Sequence, residues 1–353
     1  MLGEYRDKVV LITGGLGFIG SNLAMRLVEE GASVTVVDSS IAGCGANPYN
    51  LAAVRDRVNV IPLDIADASD FASEIRKANV IFNLAGEISH IHSMQFPERD
   101  LQINAVSQLR FLQECVRHAP GVRVVYAGTR QVYGVPEYLP VDESHPVNPV
   151  DFNGIHKFAA TMYHMMLSRA GKLDAVVLRL TNVYGPRMAL DIACQGFLGT
   201  FLRRALLGEA LDIFGDGRQV RDPLYVDDVV EAFLLAGLAV LPSRTYNLGG
   251  LEPLSLSEIA ETMSREAGGV PLTYRPFSAE RASIDIGSYC SDWQRIHREL
   301  GWKPATSFRD GIARTFSYYR SELAHYLDPG NPDAVCRLPE HHGARHRLAL
   351  IAV

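Results

Sequence analysis

The chain has no apolar run long enough to span a membrane and no excess of basic residues. Its 34 Lys and Arg stand against 40 Asp and Glu, for a formal net charge of −6. That balance argues against nucleic acid or an anionic membrane surface as a partner, since either favours a basic face. A secretory start is also missing: Met1-Leu2-Gly3-Glu4-Tyr5-Arg6-Asp7-Lys8 has neither a basic opening nor an apolar stretch. Cysteine is sparse. Cys44, Cys115, Cys194, Cys290 and Cys336 are odd in number and scattered, with no two at metal-ligand spacing. We therefore expect reduced thiols, a cytoplasmic location and no metal. Internal repeats and low-complexity stretches are absent too. What remains is a globular chain of 353 residues, 47% hydrophobic and 21% charged, in one large or two closely joined domains.

Short apolar runs alternate with longer helical patterns. Lys8 to Thr13, Ser33 to Asp38, Val58 to Leu63, Asn79 to Leu84, Arg123 to Ala127 and Ala175 to Leu180 are β-branched runs of strand length. Between them lie helix-length segments such as Gly20 to Glu30 and Leu101 to His118. Repeated strand-helix-strand order predicts the α/β class with a doubly wound parallel sheet, and continuous apolarity in the strands fits burial on both faces. From about Pro186 the rhythm breaks into mixed helices and short strands, which predicts a second, smaller lobe. Past about Leu323 the segments Asp328-Pro329-Gly330-Asn331-Pro332-Asp333 and His341-His342-Gly343-Ala344-Arg345-His346 are loop-like, and residues 326–353 stay unassigned.

The first chemical motif is Thr13-Gly14-Gly15-Leu16-Gly17-Phe18-Ile19-Gly20, which follows the first strand and opens a helix. Gly14 permits a tight turn, Gly17 lets the backbone approach a pyrophosphate, and Gly20 lets helix and strand pack closely. Helix N–H groups bind the phosphates, so Phe18 and Ile19 belong to the same binding turn. Asp38 ends the second strand about 20 residues on, where a carboxylate takes ribose hydroxyls. Ser39 and Ser40 follow it rather than an arginine, so the expected cofactor is NAD and not NADP. Asp64 and Ile65, after the third strand, then flank the adenine, although Asp64 suits a helix cap equally well.

From about Asp7 to Arg320 the chain resembles the extended short-chain dehydrogenase/reductase family, in particular its NAD-dependent nucleotide-sugar epimerases and dehydratases. Thr13 to Gly20 is similar to the family's glycine fingerprint of Rossmann type, and Asn83-Leu84-Ala85-Gly86 to its fourth-strand signature. Tyr126-Ala127-Gly128-Thr129-Arg130-Gln131-Val132-Tyr133-Gly134 resembles its fifth-strand motif. Arg179-Leu180-Thr181-Asn182-Val183-Tyr184-Gly185-Pro186-Arg187, Gly215 to Asp222, Tyr246 to Gly249 and Leu300 to Pro304 complete the pattern. The resemblance implies that Leu84, Ala85 and Val183 border the cofactor and that Lys157 binds its nicotinamide ribose. It implies that Thr129 anchors the sugar hydroxyl being oxidised, that Asn182, Arg130 and Gln131 touch substrate, and that Arg221 grips a nucleotide diphosphate. A guanidinium fork suits that last task. The implied partner is a nucleoside-diphosphate sugar, and the implied assembly is a homodimer through a bundle that includes Leu101 to His118 and Asn153 to Arg169. Residues 1–185, with 222–250 returning to them, are expected to bind NAD; 186–221 and 251–325 form the substrate lobe. Plainer roles exist for the same residues: Thr129 as a cap or packed residue, Arg221 paired with Asp222 or Asp227, Lys157 as a solvated helix residue.

Tyrosine is missing where it matters most. Family members pair a tyrosine with a lysine four residues later on one helix face, so that the ammonium lowers the phenol pKa and the tyrosinate takes a hydroxyl proton. Here the segment is Asn153-Gly154-Ile155-His156-Lys157, and an amide does not do that work. Water-eliminating members carry an acidic pair where this chain has Arg130 and Gln131, and decarboxylating members rely on a Glu at the position of Gln131. Epimerisation by oxidation and re-reduction of one carbon needs the fewest protein groups and is the expected reaction, with Thr129, Lys157 and Asn153 at its centre. A dehydratase or oxidoreductase with relocated acid and base remains open, as does a nucleotide-sugar-binding protein without turnover. Candidate replacement bases are His156, Tyr133 and the set Glu87, His90 and His92.

Overall fold

The computed structural model describes residues 3–327, apart from 42, 193–195, 240–243 and 278–283. Six of its strands lie where the β-branched runs predict them: β1 (Val9–Thr13), β2 (Ser33–Val37), β3 (Val58–Ile61), β4 (Val80–Asn83), β5 (Arg123–Thr129) and β6 (Asp174–Leu180). Later come β7 (Val183–Tyr184), β8 (Leu211–Phe214), β9 (Val220–Arg221), β10 (Leu224–Tyr225), β11 (Arg244–Asn247), β12 (Leu254–Ser255) and β13 (Leu272–Arg275). The central sheet runs β11-β6-β5-β4-β1-β2-β3, with every pairing parallel. The seventh strand, β11, is not foreshadowed by an apolar run. It holds the sheet edge through Tyr246, which is buried, and Asn247, whose Nδ2 donates to Val141 O at 2.9 Å.

Strand period places alternate residues on opposite faces. Val10, Ile12, Val34, Val36, Phe82 and Val125 pack on one side against α1 (Phe18–Glu29) and α8 (Val226–Leu238). Leu11, Val37, Ile81 and Val124 pack on the other against α2 (Ala72–Lys77) and α5 (Ser107–His118). Each large apolar side chain buried in this way contributes about 1.5 to 3 kcal/mol. That double burial explains the unbroken apolar runs.

A separate core joins β8 and β13, which pair in parallel, to α7 (Phe197–Leu206), α9 (Leu256–Glu266) and the helix Phe308–Glu322. Two further features position the site. The helix α6 (Phe152–Arg169) is capped by Asp151, whose Oδ1 accepts from Gly154 N at 2.7 Å. The expected helix from Leu101 to His118 begins earlier, as α4 (Pro97–Leu101), and runs through a π-helical turn at Gln102–Val106 into α5. Such turns are frequent at functional sites, and this one carries the buried Asn104. The short helix α3 (His90–Gln95) precedes them.

Candidate functional site

A cavity of about 700 Å³ opens at the C-terminal ends of the strands and is lined on its other side by residues of the second core such as Met188, Leu198 and Phe201. The residues expected from the sequence to bind cofactor or substrate or to stand at the reaction centre line it: Gly14, Gly17, Phe18, Ile19, Gly20, Asp38, Asp64, Ile65, Leu84, Ala85, Thr129, Arg130, Gln131, Asn153, Lys157, Asn182, Val183 and Arg221.

At one end, the turn after β1 needs glycine. Gly14 has φ +71°, and a Cβ there would come within 2.9 Å of the backbone of Leu84 and Ala85. A Cβ on Gly20 would lie 2.3 Å from Gly14 O. The helix α1 starts at Phe18 without a side-chain cap, so its first-turn N–H groups and positive dipole end are left at the cavity wall. Asp38 accepts from Leu16 N and Ser40 N, both at 2.9 Å, which ties the end of β2 to the glycine turn. Burial raises its pKa, and Asp64 nearby adds to the rise. Asp64 Oδ1 accepts from Ala66 N at 2.8 Å, so this residue both caps a turn and lines the cavity. A phosphate-ready helix end and a carboxylate at the tip of β2 fit NAD.

At the centre, Thr129 ends β5. Its Oγ1 accepts from Gln131 N at 3.1 Å, which caps the following 3₁₀ turn and leaves the hydroxyl hydrogen available to donate. Lys157 is buried, and a Cβ on Gly86 would lie 3.0 Å from its Nζ. Burial pushes the ammonium pKa down to about 8, partly offset by the charge of Asp100. Asn153, one helical turn earlier, spends both amide hydrogens internally: Nδ2 donates to Glu87 O and to Asp100 Oδ2, each at 2.9 Å. Asp100 is 1% exposed and also receives Asn104 Nδ2 at 3.0 Å and His156 Nδ1 at 2.7 Å. Asn104 closes the network through Glu87, donating to its O at 3.0 Å and accepting from its N at 3.1 Å.

Several candidate bases fall away on this geometry. His156 is held by Asp100, outside the cavity lining. Tyr133 is buried, donating to Asn247 Oδ1 at 2.7 Å and accepting from Arg179 Nη1 at 2.6 Å. Glu87 faces Arg99 Nε at 3.2 Å, with His92 at 3.6 Å, and neither Glu87 nor His92 lines the cavity. His90 does reach it, with Nδ1 2.9 Å from Asp151 Oδ2. Gln131 Nε2 donates to Asp151 at 2.9 Å. Burial pushes the Asp151 carboxyl upward, but His90, Gly154 N and Gln131 outweigh it and hold the pKa below the ordinary value.

At the far end, Arg221 Nη1 donates to Val220 O at 2.8 Å, and Nη2 lies 3.8 Å from Asp285 Oδ1. The plainer alternative, a pairing of Arg221 with Asp222 or Asp227, does not form among the described residues. Asp222 instead accepts from Thr181 Oγ1 and from Ser291 N. Burial, and then the neighbouring charge of Arg130, push Arg221 down to about 10. Arg130 Nη2 donates to Asn182 Oδ1 at 3.2 Å, and its guanidinium lies 4.7 Å from the centre of the Tyr289 ring.

Sequence reasoning missed Asp100, Asn104 and Asp285. The first two stand four apart in a helical pattern, a spacing at which an acid and an amide share a face, and that was the available signal. Asp285 sits in a loop that carries none. Among the described residues no helix is long and apolar enough to cross a membrane, and no cluster suited to a metal ion occurs.

A doubly wound parallel sheet with a glycine turn at one end of its cleft and buried arginines at the other defines an NAD-binding protein of the extended short-chain dehydrogenase/reductase class. The model of the NAD dependent epimerase/dehydratase family matches residues 10–249, and the chain belongs to that family. It is 34% identical to the UDP-glucose 4-epimerase of Mycolicibacterium smegmatis over 315 residues, covering 88% of this chain and 98% of the relative. The crystal structure of a Thermotoga maritima UDP-glucose 4-epimerase with UDP-glucose superposes with a TM-score of 0.81 at 30% identity, covering 89% of this chain and 99% of that one. The dTDP-glucose 4,6-dehydratase DesIV of Streptomyces venezuelae, with NAD bound, gives 0.81 at 29% identity, covering 91% and 99%.

Proposed function

We propose that this chain is an NAD-dependent nucleoside-diphosphate-sugar epimerase that inverts one sugar carbon by transient oxidation and re-reduction. The observation that carries the reading is the single cavity that runs from Gly14 and Asp38, past Thr129 and Lys157, to Asn182 and Arg221. The glycine turn and Asp38 would hold the cofactor, with Ile65, Leu84, Ala85 and Val183 along its length, and NAD held there would supply the hydride acceptor and donor. Thr129 donates its hydroxyl hydrogen to the reacting oxygen and fixes that carbon. Lys157, uncharged in part near pH 8, takes the hydroxyl proton that a tyrosine takes elsewhere in the family. Asn153 is a positioning residue: it holds Glu87 and Asp100 in place beside that lysine. Arg221 binds the diphosphate, and Asn182 the sugar end. Elimination of water is the weaker reading, because Gln131 offers an amide already committed to Asp151 and Arg130 offers no base.

The protein is expected to act in the cytoplasm; Cys44, Cys115 and Cys290 are free thiols, which fits a reducing compartment. Ring-deuterated UDP-glucose tests the reaction. Every ring deuteron should survive in the epimerised product, because the hydride returns to the carbon it left. Loss of label to solvent would point to proton abstraction from carbon and against this mechanism.

A further inference from the structure

We infer that Arg130 recognises a carboxylate on the sugar, so that the substrate is a nucleoside-diphosphate hexuronate; this rests on the nucleotide-sugar reading above. Arg130 is 9% exposed and lines the cavity. One terminal nitrogen, Nη2, reaches Asn182, while Nη1 is buried with no hydrogen-bond partner among the described residues. The group stacks on Tyr289 and feels Asp222, Asp151 and Asp285 only at a distance. Asp222 already accepts from Thr181 and Ser291, Asp151 from Gln131 and Gly154, and Asp285 from Gln219. A buried guanidinium with an orphaned N–H and, among the described residues, no ion pair is costly unless a ligand supplies the anion.

Position says which anion. Arg130 follows Thr129 in the chain and reaches Asn182 just past the end of β6, close enough to Arg221 for the two charges to oppose each other. A sugar whose reacting hydroxyl meets Thr129 and whose diphosphate meets Arg221 passes Arg130 in between. The diphosphate already has its arginine there. A carboxylate on the sugar ring satisfies Nη1 in the planar, paired geometry that a guanidinium offers. A neutral hexose leaves the second cation uncompensated.

Calorimetry with UDP, UDP-glucose and UDP-glucuronic acid tests this on the NAD-loaded protein and on Arg130→Met and Arg130→Lys. The unmodified protein should bind UDP-glucuronic acid at least about tenfold more tightly than UDP-glucose. Arg130→Met should erase that ratio while changing UDP affinity by less than about threefold, and Arg130→Lys should keep part of it as a point charge. Retained NAD binding checks that each variant is folded. If Arg130→Met does not fold, the ratio in the unmodified protein and its reduction in Arg130→Lys decide the matter. Equal affinities for the two sugars, or a loss of UDP affinity in Arg130→Met as large as the loss for UDP-glucuronic acid, would overturn the assignment and return Arg130 to the diphosphate. An unmodified protein that binds NAD but not UDP removes the nucleotide-sugar reading, and this inference with it.

Discussion

Asn153 stands four residues before Lys157, where the resemblance to the family leads us to expect a tyrosine, and its surroundings say what it does there. Both of its amide hydrogens go to Glu87 O and Asp100, and it is 1% exposed. Asn153→Ala should therefore cost stability more than chemistry. Removing two donors from buried acceptors predicts a loss of about 1 to 3 kcal/mol in chemical unfolding, with turnover lowered only modestly. Asn153→Tyr replaces two donors with one in a closed space and should also destabilise. Turnover abolished in a stably folded Asn153→Ala would assign the asparagine a direct part in catalysis. Lys157 behaves in the opposite way. Lys157→Met should lower turnover about a hundredfold to ten-thousandfold, and the activity of the unmodified protein should climb as pH rises through about 8. The drop from 10.5 to about 8 corresponds to about 3 kcal/mol of destabilisation while the lysine is charged in both states, that is, below pH 8. That cost is relieved as pH rises from about 8 to 10.5. The Met variant of the ligand-free protein should accordingly be the more stable at pH 7 and lose the advantage toward pH 10; equal stability at every pH would deny the buried charge. For Asp38, Asp38→Ala should erode a preference for NAD over NADP of at least about 1.4 kcal/mol, a tenfold ratio, in paired titrations. The glycine turn, Asp38, Thr129 and Lys157 were legible as letters because each motif has one backbone setting. Asp100 was not, since two of its three partners, Asn153 and His156, are distant in sequence.

At the scale of elements, the six apolar strands were readable because burial on both faces leaves an unbroken run of β-branched residues. The edge strand β11 was not, because Arg244, Thr245 and Asn247 interrupt any such run and its place is set by pairing with β6. The π turn at Gln102–Val106 has no spacing signature either; within it Asn104 bonds to Glu87 and Asp100. On α6, Phe152, Ile155, Met162 and Met166 are 38 to 50% exposed and recur at helical spacing. We expect this apolar stripe to be the homodimer face. Light scattering should give a dimer for the unmodified protein and a monomer for the double variant Ile155→Lys with Met166→Lys. A monomeric unmodified protein would contradict the assembly.

At the scale of the whole molecule, the two cores meet over one cavity, and that meeting brings the cofactor turn, Thr129 and the arginines to a common space. The sequence carried the order of the parts but not the two facts that narrow the chemistry, the commitment of Asn153 to Asp100 and the orphaned nitrogen of Arg130. Both depend on distances across the fold. The central claim is that this scaffold still turns over without its family tyrosine, and product analysis tests it most directly. The NAD-loaded protein is incubated with UDP-glucose and with UDP-glucuronic acid and followed by proton NMR. The account predicts a product inverted at one ring carbon, formed with no net NADH and no loss of water, and faster from the uronate. A 4-keto-6-deoxy product, or no change in either sugar while both NAD and UDP remain bound, would contradict it.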